Sequence, residues 1–398
     1  MWGGWAKGPM DEARIDRAHM SRVLSLARRG AGWVSPNPMV GAVVVKNGRI
    51  VGEGYHGRTG GPHAEVEALA AAGRRAKGAD LYVNLEPCCH HGRTPPCTDP
   101  ILAAGIRSVR VSILDPNPLV NGKGVRVLRR HGIEVEVGVM AEEAARLNES
   151  YLTYTRTGRP FVVGKMAATL DGKIATATGE SRWISGLHSR RLTHRLRHEM
   201  DAILVGVGTV TADDPELTVR QGIRRPNHPV RIVLDTSLRI PRGARVLDVS
   251  CGARTVVACG KDASSGRIES LGRRGVEVWP LPLDSARRVS LRALLRRAGR
   301  EGMTSLLIEG GSEVMASALK AQAVHRLLVI LAPKILGAGA REAVGDLGIK
   351  KLSRAVALDD VRWRRVGEDL VAEGYPPTRR GSETCSRDWW KKLAGSRR

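Results

Sequence analysis

The chain has 398 residues, more than one compact core ordinarily holds, so two domains are expected. Hydrophobic residues make up 42% and aromatics only 4%, with Phe161 the single phenylalanine; the cores must be aliphatic, and a surface that stacks nucleobases on exposed rings has little to work with. The 64 Lys and Arg against 40 Asp and Glu give +24, but the basic pairs (Arg28-Arg29, Arg129-Arg130, Arg190-Arg191, Arg296-Arg297) are spread along the chain as on solvated faces, not gathered into a nucleic-acid-binding arm.

Residues 1–10 read as an extension without the apolar segment of a signal peptide. A first helix is expected over 11–30, stopped by Gly30. Strands follow at 40–45 and 49–55, joined by the turn Lys46-Asn47-Gly48. Then come a helix from His63 to about Ala72, a strand at 80–85, a helix after Pro96, a strand at 108–114, a helix near 123–131 and a strand at 133–139. A single helix over 142–152 leads out of this unit. Arg156-Thr157-Gly158-Arg159-Pro160 breaks the pattern. Beyond it, strands are expected at 161–167, 202–207, 230–234, 255–258, 276–281 and 305–309, with helices at 187–200 and 291–298. Strands alternating with helices in both halves argue for layered α/β sheets. The boundaries expected are 11–150 for a first domain, 161–373 for a second, and 374–398 for a disordered basic tail that carries Trp389 and Trp390. No apolar run approaches the roughly 20 residues of a membrane span, and a cytoplasmic protein without a membrane partner is expected.

Six cysteines are too few for a disulfide scaffold of this length. Cys88, Cys89 and Cys97 crowd together, which fits a thiolate metal site in a reducing compartment. His63-Ala64-Glu65 opens a helix, Pro87-Cys88 closes a strand, and Cys97 starts another helix after Pro95-Pro96. One imidazole and two thiolates, His63, Cys88 and Cys97, make a three-ligand Zn²⁺ site that keeps its fourth position for water. Helix N-termini at His63 and Cys97 favour thiolate over thiol. Glu65, two residues past His63, can take a proton from zinc-bound water and pass it on. This His-x-Glu with a later Pro-Cys is the pattern of zinc deaminases, in which the glutamate is not a ligand. Eight residues separate Cys88 from Cys97, where two are usual. Cys89 competes with Cys88 as ligand, the Pro-Cys pairing favouring Cys88; His90 and His91 either are extra ligands or, on the favoured reading, line the pocket or solvent.

Four segments carry a resemblance: Ser35-Pro36-Asn37-Pro38-Met39-Val40-Gly41, Gly52-Glu53-Gly54-Tyr55-His56, Pro62-His63-Ala64-Glu65, and the run from Glu86-Pro87-Cys88 to Pro95-Pro96-Cys97. With Asp115-Pro116-Asn117-Pro118 they resemble the bifunctional pyrimidine deaminase/uracil reductase family of riboflavin biosynthesis, whose own form has the wide cysteine spacing. The resemblance covers about 15–373. It implies a cytidine-deaminase-like α/β/α sandwich followed by a dihydrofolate-reductase-like α/β domain. The first would remove the 2-amino group of a diaminopyrimidinone bearing a ribosylamino 5′-phosphate, with Glu65 as the catalytic carboxylate. Asn37 is either the residue that orients the ring or a turn residue between two prolines.

The second half continues the resemblance through Lys165–Ala175, Gly179–Ser185, Val205–Pro215, Leu217–Arg220 and Ile308-Glu309-Gly310-Gly311-Ser312. It implies an NADPH-dependent reductase that converts the ribosyl chain of the aminouracil to ribityl; no Gly-x-Gly-x-x-Gly opens a βαβ unit, so a Rossmann site is not supported. By the same resemblance NADPH would meet Ala167 (through its backbone), Trp183, Thr209, Asp213, Thr236 and the helix start Gly311, Ser312, Glu313, Val314, Met315, Ala316 and Ser317. The substrate would meet Ser181, Arg197, Leu217, Arg220 and Glu309. Arg197 and Arg220 are permanently charged forks suited to a phosphate, or else surface arginines. Trp183 either covers the nicotinamide or packs in the core. The resemblance further implies a homo-oligomer assembled through the reductase domain, and a small phosphorylated pyrimidine as the partner, with no nucleic acid. The rival is a tRNA deaminase with a C-terminal binding domain, which explains +24 but not the second half of the chain.

Overall fold

The computed structural model describes residues 9–92, 95–377, 391 and 393–394. They divide into two units, one ending at Thr157 and rejoined by the C-terminal residues, the other beginning at Gly158.

The first unit runs α1 (Pro9–Ala27), β1 (Gly41–Lys46), β2 (Arg49–Tyr55), α2 (Ala64–Ala72), β3 (Asp80–Leu85), α3 (Thr98–Ala103), β4 (Ser108–Ile113), α4 (Lys123–Arg130), β5 (Glu134–Val137), α5 (Ala141–Leu147) and α6 (Glu149–Thr157). Its sheet has the order β2-β1-β3-β4-β5, antiparallel through β1 and parallel from β3 onward. β1 and β3 are buried on both faces because helices cover both, so they read as continuous apolar runs. Val44, Leu81, Val83, Val109 and Val111 pack against Ala64, Ala68 and Ala72 of α2, and each fully buried aliphatic side chain contributes about 2 kcal/mol. α2 lies very close to β2: a Cβ on Gly52 or Gly54 would stand 2.2 and 2.4 Å from the carbonyls of Ala68 and Ala64. Only glycine lets the helix that opens at His63 sit so near the sheet.

The single helix expected over 142–152 is two helices, α5 and α6. Asn148 ends the first turn sequence with a non-helical backbone (φ −109°, ψ 22°) and spends its side chain elsewhere, as asparagine readily does.

The second unit comprises β6 (Phe161–Thr169), β7 (Lys173–Ala175), α7 (Leu187–Glu199), β8 (Ala202–Gly206), α8 (Val207–Asp213), β9 (Val230–Leu234), β10 (Thr255–Gly260), α9 (Ser265–Gly272), β11 (Glu277–Leu281), α10 (Leu291–Arg300), β12 (Ser305–Ile308), α11 (Ser312–Lys320), β13 (Arg326–Ala332), β14 (Arg341–Glu342), β15 (Asp359–Val366) and β16 (Asp369–Tyr375). The nine-stranded sheet has the order β11-β10-β9-β8-β12-β6-β13-β16-β15. Its strands are parallel from β11 to β13, and β13, β16 and β15 pair antiparallel. Separate apolar clusters cover its two faces, one around Leu204, Leu306 and Leu294, the other around Ile203, Val233 and Val257. The carboxyl ends of β6, β8, β9 and β12 therefore meet at one edge of the sheet, where ligands of open α/β sheets bind.

The tail expected to be disordered from 374 falls mostly outside the described residues, Trp389 and Trp390 included. Two described parts depart from that expectation. β16 continues to Tyr375, and Leu393 is buried with Leu24, Leu85 and Ile113 of the first unit, its carbonyl accepting the Leu114 N–H at 2.8 Å. Among the described residues no helix is long and apolar enough to cross a membrane.

Candidate active sites

In the first unit, His63 is the N-cap of α2 and Cys97 the N-cap of α3, while Cys88 follows the carboxyl end of β3. Three chain segments thus aim one donor each at a common point. The His63 Nδ1 lies 3.0 Å from Cys97 Sγ and 3.6 Å from Cys88 Sγ, and the three donor atoms fall within 4.8 Å of one another. Cys88 Sγ also accepts the Cys97 N–H at 3.3 Å. Two sulfurs this close repel as thiolates unless a cation lies between them, and contact with Cys97 and His63 draws the Cys88 thiol well below its ordinary range. One nitrogen and two sulfurs converging on one point are the donor set that suits Zn²⁺. Cys89, which competed with Cys88 in the sequence, instead points its sulfur towards the Leu119 carbonyl.

Glu65 lies in the first turn of α2 and is buried. Burial, with the neighbouring Cys88 sulfur, pushes its carboxyl up to about 7; a dication beside it works in the opposite direction. These residues open onto a cavity of about 390 Å³ whose wall includes Asn37, His56, His90, Asp115, Asn117 and Tyr151. Asn37 is more than a turn residue: its Nδ2 is 3.1 Å from His56 Nε2. Burial keeps His56 below its ordinary pKa, so the neutral ring donates from Nδ1 to the Pro62 carbonyl at 2.9 Å and accepts at Nε2 from the Asn37 amide.

Asp115 and Tyr151 received no role from the sequence. The Tyr151 hydroxyl donates to Asp115 at 2.8 Å, and burial raises the Asp115 carboxyl to about 6. The signal was present in part, since Asp115-Pro116-Asn117-Pro118 was singled out; Tyr151 lies in a stretch that reads only as amphipathic helix.

In the second unit the expected residues gather at the carboxyl edge of the sheet. Gly311 is the N-cap of α11, directly after β12, and Thr209 lies in the first turn of α8, directly after the adjacent β8. A Cβ on Gly310 or Gly311 would stand 3.2 or 3.1 Å from Thr209 Oγ1, so the glycine pair brings backbone N–H groups beside that hydroxyl. Ser181 donates to Asp213 at 2.7 Å, joining an expected substrate residue to an expected cofactor residue. Thr236 follows β9 and accepts the Val289 N–H at 3.3 Å. Ala167 lies on β6 opposite Ile330.

Several expectations are corrected. Arg197 is no free phosphate fork: its Nε and Nη2 each donate to Glu309 at 2.8 Å and its Nη1 to the Thr218 carbonyl at 3.0 Å, in a nearly buried pair. A guanidinium already gripped bidentately has no planar edge left for a second anion. Arg220 keeps that capacity: it is exposed and, among the described residues, its side chain pairs with Glu216, four residues before it. Leu217 turns its side chain into the core, with backbone φ +56°, so only its main chain can face a ligand. Met315 and Ala316 lie on the buried side of α11; Ser312, Glu313, Val314 and Ser317 lie on its other faces. Trp183 is not a core residue, being 61% exposed with Arg190 4.6 Å from its ring.

Lys165 received no role from the sequence, although a lysine inside the apolar strand β6 is an anomaly that could have marked it. Burial pulls its ammonium below the ordinary lysine range, against the attraction of Glu309. Burial alone would raise the Glu309 carboxyl; Arg197 and Lys165 together hold it down at about 2.

The comparisons follow this division of the chain. Residues 13–113 match the cytidine and deoxycytidylate deaminase zinc-binding region, and residues 160–372 match the RibD C-terminal domain. The riboflavin biosynthesis protein RibD of Aquifex aeolicus is 48% identical over 357 residues, spanning 90% of this chain and 97% of the relative. The chain belongs to the RibD family. Its Escherichia coli member is 41% identical, over 89% of this chain and 98% of its own. Among solved structures, RibD of Acinetobacter baumannii matches with TM-score 0.82 at 34% identity, covering 92% of this chain and all of that one. A diaminohydroxyphosphoribosylaminopyrimidine deaminase/5-amino-6-(5-phosphoribosylamino)uracil reductase of Thermotoga maritima matches with TM-score 0.79 at 37% identity and the same coverage. As a RibD protein, this chain is a bifunctional enzyme of riboflavin biosynthesis that acts on small molecules, with a cytidine-deaminase-like zinc domain followed by an NADPH-dependent reductase domain. The second half of the chain, which the tRNA-deaminase reading left without a role, is this reductase.

Proposed function

We propose that the first unit deaminates 2,5-diamino-6-(5-phosphoribosylamino)pyrimidin-4-one and that the second reduces the ribosyl side chain of the resulting aminouracil to ribityl. The observation that carries this reading is the convergence of His63, Cys88 and Cys97 beside buried Glu65 at the floor of a ring-sized cavity. Zinc held by those three residues would supply Lewis-acid activation of a water molecule, whose oxygen would replace the amine on the ring carbon. Glu65 is placed to accept a proton from the water and to return it to the departing amine, which leaves as ammonia; its burial keeps the proton from bulk solvent. His56 fixes the Asn37 amide by accepting from its Nδ2, which leaves the amide oxygen to receive an N–H of the pyrimidine.

In the second unit NADPH supplies the hydride, and the protein positions it. The backbone at Gly311–Ser312, the Thr209 hydroxyl and Asp213 would receive the cofactor, with exposed Trp183 available to cover it. Arg220 exchanges Glu216 for the substrate phosphate. Glu309, held ionised and in place by Arg197, faces the sugar together with Lys165 and Ser181.

The reductase unit is also the proposed site of self-association. β15 is one edge of the nine-stranded sheet, and Val361 and Trp363 on it and Leu370 on the neighbouring β16 are exposed, apolar side chains that a second copy would cover. The compartment proposed is the cytoplasm, which suits five described cysteines none of which is in a disulfide.

Replacing Glu65 by Gln keeps the size of the side chain and removes its proton chemistry. Ammonia release is expected to fall by about a thousandfold, with zinc content and reduction of the deaminated intermediate unchanged. Loss of both half-reactions together would overturn the assignment of separate sites.

A further inference from the structure

The wall of the deaminase cavity contains a segment with few backbone donors of its own. Pro36 and Pro38 have no N–H to donate, and the Asn37 N–H is already spent on the Val34 carbonyl at 2.8 Å. The first free backbone donor of the loop is therefore Met39, just before β1. Both of its polar groups are met by side-chain amides from distant parts of the unit. The Met39 N–H donates to Asn148 Oδ1 at 2.8 Å, and its carbonyl accepts from Asn148 Nδ2 at 3.0 Å and from Asn84 Nδ2 at 2.9 Å. Asn84 Oδ1 completes the clamp by accepting the Gly41 N–H at 2.9 Å. Both asparagines are shut away from water, at 0% and 2% exposure.

The arrangement selects for an amide. A carboxamide presents a donor and an acceptor side by side, which no carboxylate, hydroxyl or apolar side chain does. The cost appears elsewhere: Asn148 interrupts what would otherwise be one helix over 142–152. The benefit is local to the cavity, because Pro36, Asn37, Pro38 and Val40 on either side of the clamped residue all line it.

We propose that Asn148, together with Asn84, is a positioning residue for the deamination, clamping Met39 so that Asn37 and Val40 are held at the distance from the metal ligands that the pyrimidine ring requires. This rests on the deaminase reading of the cavity. It assigns no contact with substrate to either asparagine; they act through the loop.

The test uses the full-length zinc-loaded enzyme and compares Asn148→Ala, Asn148→Asp, Asn37→Ala and the Asn37→Ala/Asn148→Ala double variant. Asn148→Asp keeps an acceptor for the Met39 N–H and loses the donor to its carbonyl, so it carries the test should Asn148→Ala fail to fold. Losing the clamp is expected to raise KM for the pyrimidine about tenfold, with kcat, zinc content and the reduction rate within about twofold; Asn148→Asp should fall between Asn148→Ala and the parent. The double variant should lose no more than the worse single one, because both act on one loop. An unchanged KM in Asn148→Ala with a raised KM in Asn37→Ala would overturn the clamp and leave the Asn37 assignment standing. The converse pattern would overturn the Asn37 assignment and leave the clamp acting through Pro38 and Val40. A joint fall of kcat, zinc content and reduction in either Asn148 variant would show a merely structural role and overturn the proposal.

Discussion

The two units solve different chemical problems, and their sites are built differently. In the deaminase unit three donors and one carboxylate lie between His63 and Cys97, each at the end of an element, so helix starts and a strand end fix their directions. In the reductase unit the proposed participants run from Lys165 to Ser317, drawn from strand β6, helix α7, the segments after β8, β9 and β12, and the loops between. A metal site needs a few soft ligands in a rigid arrangement and can be compact in sequence. Holding a dinucleotide against a sugar phosphate needs many weak contacts on a broad edge, and a sheet edge collects them from everywhere in the chain. The electrostatics differ in the same way: Glu65 is a buried carboxyl pushed up to about 7, poised to exchange a proton, whereas Glu309 is a buried carboxylate held at about 2, fixed in one state.

That contrast can be broken at Glu309, where the expected effect on stability is largest. A carboxyl whose folded pKa lies below its unfolded value of 4.5 contributes its full stabilisation above pH 4.5 and loses it as the pH falls towards 2. The shift corresponds to a contribution on the order of 3 kcal/mol. Urea unfolding of the parent and of Glu309→Gln should therefore differ most near pH 7 and converge near pH 2.5. A gap independent of pH would mean that Glu309 contributes by shape and not by charge. A smaller effect sharpens the comparison at Arg220. Arg220→Ala should raise KM for the phosphorylated intermediate by about thirtyfold, the worth of one charge-assisted contact, and change KM for NADPH by less than about threefold. Equal changes in both would remove Arg220 from the phosphate.

Most of the deaminase site was legible because its motif residues coincide with punctuation that the backbone needs anyway: His63 before α2, Pro87-Cys88 after β3, and Cys97 after two prolines. What escaped there is non-local. Tyr151 finds Asp115, and Asn148 finds Met39 across more than a hundred residues, and no periodicity records such pairings. Asn148 also explains why one expected helix became two. In the reductase unit β6 and β8 to β12 were legible as apolar runs. β7, β13, β14, β15 and β16 were not expected from the sequence; β15 is an edge strand whose Val361 and Trp363 alternate with Arg362 and Arg364 yet stay exposed, so no buried face marks it. Residue identity pointed to Arg197 as a phosphate ligand, but only the fold brings Glu309 to it from the end of β12. Lys165 was visible as a charge in an apolar strand, yet its meaning came from the carboxylate beside it.

Zinc is expected to serve one half-reaction and not the other. Metal analysis of the purified chain, followed by chelation and assay of each half-reaction separately, tests this most directly. One zinc per chain is expected, with chelation abolishing ammonia release, re-addition of zinc restoring it, and NADPH oxidation by the deaminated intermediate continuing throughout. A chain that deaminates without metal, or loses both activities when the metal is removed, would contradict it.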